Sequence, residues 1–331
     1  MPKHKYKPPF SLNDKILSLV ATISESVGRL SVQFEQEQNL KLRRVNRMRT
    51  IQGSLAIEGN TLSEEQITAI LDGKHVMAPI KEIKEAHNAI LAYDQLQSWK
   101  VYSEQDLLAA HKTLMLGLVA DASAYRSGGV GVMSGDKVVH MAPQAERVPR
   151  LMVDLLDWLQ TTPVHPLIAS CIFHYELEFI HPFADGNGRM GRLWQTLILS
   201  QWQSVFSYIP VESLVHHNQG AYYLAIRQST QLSGSTPFIE FMLEMMRQAI
   251  IDLGDKTTQE TTQETIKKLS DNQQAILSYL ASTPTASRRE LAANIVGITE
   301  AGVKYNLKKL QELDLIKRAG STKSGHWQVL L

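Results

Sequence analysis

His181-Pro182-Phe183-Ala184-Asp185-Gly186-Asn187-Gly188-Arg189-Met190-Gly191-Arg192 is the stretch that decides how this chain is read. Ile168 to Ile180 before it and Arg189 to Trp202 after it both carry helical apolar spacing. Pro182 disfavours a helical His181 and opens a loop between the two helices. The Asp-Gly-Asn-Gly run lets backbone amides approach a ligand closely. Those amides feed a helix N-terminus, which favours an anion through its dipole and its free N–H groups. Arg189 and Arg192 are three apart and share one helix face. Two guanidinium groups above an amide-lined loop suit a polyphosphate. Asp185 is a hard oxygen ligand suited to a magnesium ion that bridges phosphates. His181 at the loop entrance can accept a hydroxyl proton near neutral pH. Each feature is ordinary alone. Within twelve residues they point to nucleotide phosphate chemistry.

Outward from this segment the chain reads as mainly α. Ser11-Leu12-Asn13-Asp14 opens a helix, and most of residues 12–120 carries helical spacing punctuated by Gly53, Gly59-Asn60 and Ala78-Pro79. Residues 130–133 and 138–141 are β-prone runs around Ser134-Gly135-Asp136-Lys137, a hairpin signal. Helical patterns resume near Ala145 and run to Leu253. The tandem Thr257-Thr258-Gln259-Glu260-Thr261-Thr262-Gln263-Glu264 has no apolar residue and reads as a linker or a solvated helix end. Asn272–Leu280, Ser287–Ile295 and Thr299–Leu313 read as helices, and the residues from Asp314 to Leu330 read as a hairpin. That is the layout of a winged helix-turn-helix.

Composition bounds the remaining classes. A chain of 331 residues suggests about two domains. A single cysteine, Cys171, excludes an internal disulfide framework and a cysteine-rich zinc site. Its neighbours Ile168, Ile172 and Tyr175 mark it as a buried, inert thiol. No apolar run reaches about 18 residues, so no membrane helix is expected. The basic N-terminus has no apolar run behind it and does not read as a secretory signal. A cytoplasmic protein is therefore expected. The net charge of +1 hides a local balance of +5 over residues 267–331, which is a weak sign of a nucleic-acid-facing module. His174 and Glu178 have zinc-like spacing, but no third ligand fits, and His216-His217 reads as loop surface.

The segment 181–192 resembles the signature of the Fic (filamentation induced by cyclic AMP) family, His-Pro-Phe-x-Asp/Glu-Gly-Asn-Gly-Arg-x-x-Arg, at every fixed position. The resemblance implies a protein adenylyltransferase that moves AMP from ATP to a Tyr, Thr or Ser hydroxyl of a target protein, the chain itself included. His181 would be the catalytic base and Asp185 the magnesium ligand. Gly186, Asn187 and Gly188 would form the anion loop, Arg189 and Arg192 would bind the β- and γ-phosphates, and Phe183 would fix the loop. Gly191 would belong to the nucleotide site, and Tyr222 and Tyr223 match aromatic positions near the family's adenosine pocket, a core role for one of the two being the equal alternative. The hairpin, with Val130, Gly131, Val132 and Met133, resembles the family's flap, which positions a target segment by strand addition.

Ser54-Leu55-Ala56-Ile57-Glu58-Gly59-Asn60 resembles the family's inhibitory motif. The resemblance implies that Glu58, beside the nucleotide, pairs with Arg192 and blocks the γ-phosphate. In some members this glutamate also serves AMP removal. The implied organisation is a helical region at 1–100 carrying the motif, a catalytic domain at 101–253, a linker at 254–269 and a winged helix at 270–331. A homodimer is expected. Lys304, Asn306, Lys308 and Lys309 are placed for DNA contact on the recognition helix, with a protein-interaction or dimer module as the alternative use of a winged helix. The rival reading is an ATP-sensing, DNA-binding transcription regulator.

Overall fold

The computed structural model describes residues 6–34, 40–134, 137–267, 269–313, 315–320 and 325–330. Several expected turn residues, 135–136 of the first hairpin and 321–324 of the second, lie outside the described residues, as do 1–5, Lys268 and Asp314. The helices in chain order are α1 (Asp14–Phe34), α2 (Leu40–Ile57), α3 (Glu64–Leu71), α4 (Ile80–Asp94) and α5 (Glu104–Met115), followed by a hairpin of β1 (Gly131–Ser134) and β2 (Lys137–Met141). Then come α6 (Val148–Thr161), α7 (Pro166–Ile180), α8 (Asn187–Trp202), α9 (Val211–His217), α10 (Gln219–Gln231) and α11 (Thr236–Lys267). The last elements are α12 (Asp271–Ser282), α13 (Arg288–Asn294), α14 (Glu300–Glu312), β3 (Ile316–Ala319) and β4 (His326–Val329). They form two compact units, Met1–Gly254 and Asp255–Leu331.

In the first unit α7 and α8 lie at the centre. Both are buried nearly all round, which is why α7 reads as an almost continuous apolar run. One core joins residues from Ile16 in α1 to Leu253 in α11, so the N-terminal helices and the signature helices share the same interior. Trp194 of α8 is fully buried and donates its indole N–H to the Val101 carbonyl at 2.8 Å. The N-terminal arm lies across the unit. The Tyr6 hydroxyl donates to Glu176 at 2.5 Å, and the Ser235 N–H donates to the Pro9 carbonyl at 2.9 Å.

Gly53, expected to interrupt the helical region, lies inside α2. A Cβ there would stand 2.5 Å from the Ser213 amide nitrogen of α9. The glycine permits a close helix crossing and ends nothing. The α2 helix instead ends where Gly59 adopts a φ of 89°. The Asn60 N–H donates to the Leu55 carbonyl at 3.2 Å and the Gly59 N–H to the Ala56 carbonyl at 3.0 Å, a Schellman termination. One other expectation changes: His216 and His217 form the last turn of α9, whereas residues 257–264 lie within the end of α11, the second of the two alternatives expected for them. Lacking apolar residues, that tract cannot build a core, but lacking Gly and Pro it does not break a helix either.

The second unit is built on capped helices. Ser270 with Gln273 and Ser287 with Glu290 form capping boxes, and the Thr299 hydroxyl accepts from the Gly302 N–H. The antiparallel β3–β4 pair joins Ile316 to Val329 and Arg318 to Trp327, with the guanidinium 5.1 Å from the indole centroid. Lys304, Lys308 and Lys309 are exposed on α14, whereas Asn306 is half-buried and donates its side-chain N–H to the Gly302 carbonyl. No helix among the described residues is long and apolar enough to cross a membrane.

Glu212 of α9 ties the interior of the first unit together. Its Oε1 accepts from Thr196 of α8 at 2.8 Å and from Tyr93 of α4 at 3.4 Å. Burial pushes its carboxyl up to about 7. The folded state therefore holds a proton that the unfolded chain releases at lower pH. The stability linked to that proton is complete below the ordinary carboxylate range and lost as pH rises toward 7. Glu212→Gln keeps a carbonyl acceptor and removes the titration. Between pH 5 and pH 8, unfolding titrations should show the unaltered protein losing about 1–3 kcal/mol more than the variant. Parallel curves would refute the assignment.

Candidate active site

The α7 helix stops at His181, whose backbone is left-handed (φ 51°, ψ 61°). Its N–H still donates to the Leu177 carbonyl at 2.8 Å. A histidine in this conformation carries strain, and Pro182 rules out a simple continuation of the helix. The loop is over-determined by its neighbours. The Asn187 side chain accepts from the Phe183 N–H and donates to the Phe183 carbonyl, both at 2.9 Å. Phe183 is fully buried and stacks on His111, with centroids 3.7 Å apart and planes 6° apart. His111 Nδ1 accepts from the Ser123 N–H at 3.1 Å, so its Nε2 carries the hydrogen donated to the Asp185 carbonyl at 3.0 Å. Burial lowers the His111 pKa and keeps the ring neutral in this role.

Gly186, at φ 86°, precedes α8 and turns the first amides of that helix outward into the loop. A Cβ on Gly188 would lie 2.3 Å from Glu58 Oε1 and 3.0 Å from Arg192 Nη1. The first turn of α8 thus lies directly against the Glu58–Arg192 pair. Arg189 is 6% exposed and lies 3.4 Å from Glu85 Oε1 and 3.3 Å from Asp185 Oδ1. Glu85 is held in turn by the Asn60 side-chain N–H at 2.9 Å.

Arg192 is almost wholly buried. Its Nε donates to the Ser54 hydroxyl at 3.0 Å, and its Nη2 donates to the Ser54 carbonyl at 3.0 Å and to Glu58 Oε1 at 2.7 Å. Burial is the largest influence and works against the charge, but the Glu58 carboxylate together with Tyr222 and Glu178 more than offsets it and raises the Arg192 pKa above its ordinary value. Nη1 is buried and has no hydrogen-bond partner among the described residues. The Schellman termination places Glu58 at the C-cap of α2, where a carboxylate meets the negative end of the helix dipole. Arg192 offsets that penalty and also engages the last-turn carbonyl of Ser54.

Behind Arg192 lies a polar cluster. His174 pairs through Nδ1 with Gln195 Oε1 at 2.7 Å and through Nε2 with the Tyr222 hydroxyl at 3.1 Å. Burial lowers the His174 pKa to about 3, so it is neutral and its 3.9 Å approach to Glu178 is not an ion pair. Burial, then the nearby Glu58 carboxylate, pushes Glu178 up to about 7. The structure gives two residues singled out in the sequence a place in the core. Tyr222 is 1% exposed, with its hydroxyl on His174 in the core, while Tyr223 is half-exposed beside it. Gly191 faces α7, where a Cβ would lie 2.5 Å from His174 Cδ2, so its missing side chain serves packing. Cys171 is buried, and burial pushes its thiol up to about 12.

Residues 101–199 match the Fic/DOC family, and residues 269–317 match a winged helix-turn-helix DNA-binding family. The crystal structure of a Fic family protein from Desulfovibrio desulfuricans G20 is 44% identical, covers 98% of each chain and has a TM-score of 0.72. This chain belongs to the Fic family. Fic relatives with a stated activity are more distant. A protein adenylyltransferase fic-1 from Caenorhabditis elegans is 32% identical over 202 residues, covering 57% of this chain and 37% of that protein. The chain thus spans well under half the length of this relative. A Fic domain containing signaling protein from Bacteroides thetaiotaomicron VPI-5482, at 19% identity and TM-score 0.60, shares the fold.

Within this Fic fold the structure brings Ser54 and Glu58 of the N-terminal region onto Arg192, sets Gly188 against the same pair, and places Asp185 beside Arg189, with His181 at the start of the loop they share. The hairpin of Gly131, Val132 and Met133 forms with a register shift after Val132. Sequence reasoning missed His111, Glu85 and Arg126, which lie far apart in sequence and match no motif.

Replacing a helical glycine by alanine ordinarily stabilises a helix. Gly191→Ala should do the reverse, because the His174 ring it meets is fixed by two hydrogen bonds. A loss of about 1–3 kcal/mol is expected from overpacking, read by chemical denaturation. A stability gain would contradict the packing role.

Proposed function

We propose that this protein is a protein adenylyltransferase restrained by its own Glu58. The observation that carries the reading is the 2.7 Å contact of Glu58 with Arg192 at the head of an amide-lined loop that begins at His181. The fold family and the activity stated for relatives such as the Caenorhabditis elegans protein support it.

The groups suit the reaction. The first amides of α8 accept the phosphate chain of ATP at a helix N-terminus. Arg189 and Arg192 bind the outer phosphates and draw off the charge that develops on the leaving pyrophosphate. His181 takes the proton from a Tyr, Thr or Ser hydroxyl as its oxygen attacks the α-phosphorus. The bond from that phosphorus to the bridging oxygen breaks, AMP stays on the protein and pyrophosphate leaves. Asp185 has a half-exposed carboxylate at the loop mouth. One such ligand fits magnesium, which is usually bound by one or two carboxylates together with substrate phosphates. When bound there, the metal would neutralise phosphate charge. The β1–β2 hairpin would receive the target segment by strand addition.

Glu58 restrains the reaction by occupying the arginine that the γ-phosphate needs. Its side chain is 35% exposed whereas that of Arg192 is 1% exposed. The carboxylate can therefore swing to water while the guanidinium must keep an anionic partner. The winged-helix match over residues 269–317 favours a DNA-binding role for the second unit, exercised alongside the transferase.

Intact mass after incubation with magnesium and ATP tests the reading. Glu58→Gly should gain the mass of one or more AMP groups, while the unaltered protein and Glu58→Gly/His181→Ala should gain none. No gain in Glu58→Gly, with ATP bound and a mixture of cell proteins offered as targets, would overturn it.

A further inference from the structure

We propose that Arg126 is a positioning residue that locks the catalytic base to the hairpin, so that a docked hydroxyl meets His181 in fixed geometry. The inference deepens the transferase reading and rests on it for its rate consequences.

Arg126 is 6% exposed, just ahead of the hairpin, and its guanidinium is spent on backbone carbonyls from two separate parts of the chain. From the catalytic loop, Nε donates to the His181 carbonyl at 2.7 Å and Nη2 to the Ile180 carbonyl at 3.3 Å. From the two feet of the hairpin, Nη1 donates to the Gly128 carbonyl at 2.8 Å and Nη2 to the Pro143 carbonyl at 2.5 Å. The Arg126 N–H itself donates to the Pro182 carbonyl at 2.9 Å. One planar group thus joins both feet of β1–β2 to the peptide of the proposed base.

The geometry explains two otherwise separate features. His181 holds a left-handed backbone that only a surrounding frame can maintain. Arg126 grips its carbonyl and those of both neighbours, which fixes the turn that aims the imidazole. The hairpin neck is closed by the Ala142 N–H donating to the Val130 carbonyl at 3.2 Å, and Arg126 bridges the chain just outside that closure. The nucleotide groups are held by other residues: Asn187 and His111 brace the loop beyond Pro182, and Ser54 and Glu58 hold Arg192. Loss of the clamp should therefore separate hydroxyl alignment from ATP binding. Only a fork of coplanar donors reaches carbonyls on both sides, so lysine cannot replace arginine here.

The test uses the full chain in the Glu58→Gly background, with Arg126→Lys and Arg126→Ala added. Hydrogen exchange, ATP affinity and AMP incorporation are measured on each. Arg126→Lys should retain the parent's circular dichroism and bind ATP within about threefold of the parent. AMP incorporation should fall by about 10²-fold, as expected for a misplaced reacting group. Amide exchange should rise together in residues 128–143 and 180–183. Added guanidinium ion should recover part of the activity of Arg126→Ala. Unchanged transfer in Arg126→Lys would overturn the proposal, as would a loss of ATP affinity in proportion to rate. Faster exchange confined to the hairpin would overturn it as well. Should the Glu58→Gly parent transfer no AMP, the transferase reading fails, and joint or separate exchange in the two segments still decides the clamp.

Discussion

The charge on Arg192 is the constraint around which the first unit is arranged. A guanidinium with 1% of its side chain exposed must be held by fixed acceptors and an anion. Ser54 supplies two oxygens from the last turn of α2, and Glu58 supplies the charge. That requirement docks the C-terminus of α2 against the N-terminal turns of α8. It explains why α2 stops at Gly59, why Gly53 lets the same helix cross α9 closely, and why Gly188 has no side chain to strike the carboxylate. The pair is asymmetric in its contact with water, which makes the anion exchangeable and the cation permanent. A phosphate is a natural substitute for such an anion.

The loop between α7 and α8 is arranged on a different principle. It holds a strained histidine backbone by packing and hydrogen bonds from every side. Phe183 is sandwiched onto His111, Asn187 closes the turn on the Phe183 backbone, and Arg126 grips the carbonyls around His181. Such bracing suits the role of general base proposed for His181, because proton transfer depends on a correctly placed imidazole. Few of these braces lie near the loop in sequence. His111 comes from α5 and Arg126 from the segment before the hairpin.

This division shows what could be read from the residues alone. The helix–loop–helix at 168–202, the hairpin, the winged layout and the two motifs were legible because each is local: a period, a turn or a fixed spacing. The 134 residues separating Glu58 from Arg192 were bridged only through family resemblance. The roles of Gly53 and Gly191 were not legible, because a glycine that punctuates a helix and one that admits a neighbour look alike until the neighbour is placed. Tyr222 and Tyr223 are adjacent in sequence, yet helix geometry turns one hydroxyl into the core and leaves the other ring half-exposed. His111 and Arg126 carried no signal because their partners are backbone atoms, which every sequence possesses.

The central claim is that Glu58 and the outer phosphates of ATP compete for one guanidinium. Calorimetric titration with ATP and with AMP, on the unaltered protein and on Glu58→Gln, tests it directly. AMP has no β- or γ-phosphate and should bind both proteins alike. ATP should bind the variant about tenfold or more tightly, the scale of one charge-assisted hydrogen bond. Equal changes for the two nucleotides, or none for ATP, would contradict the account.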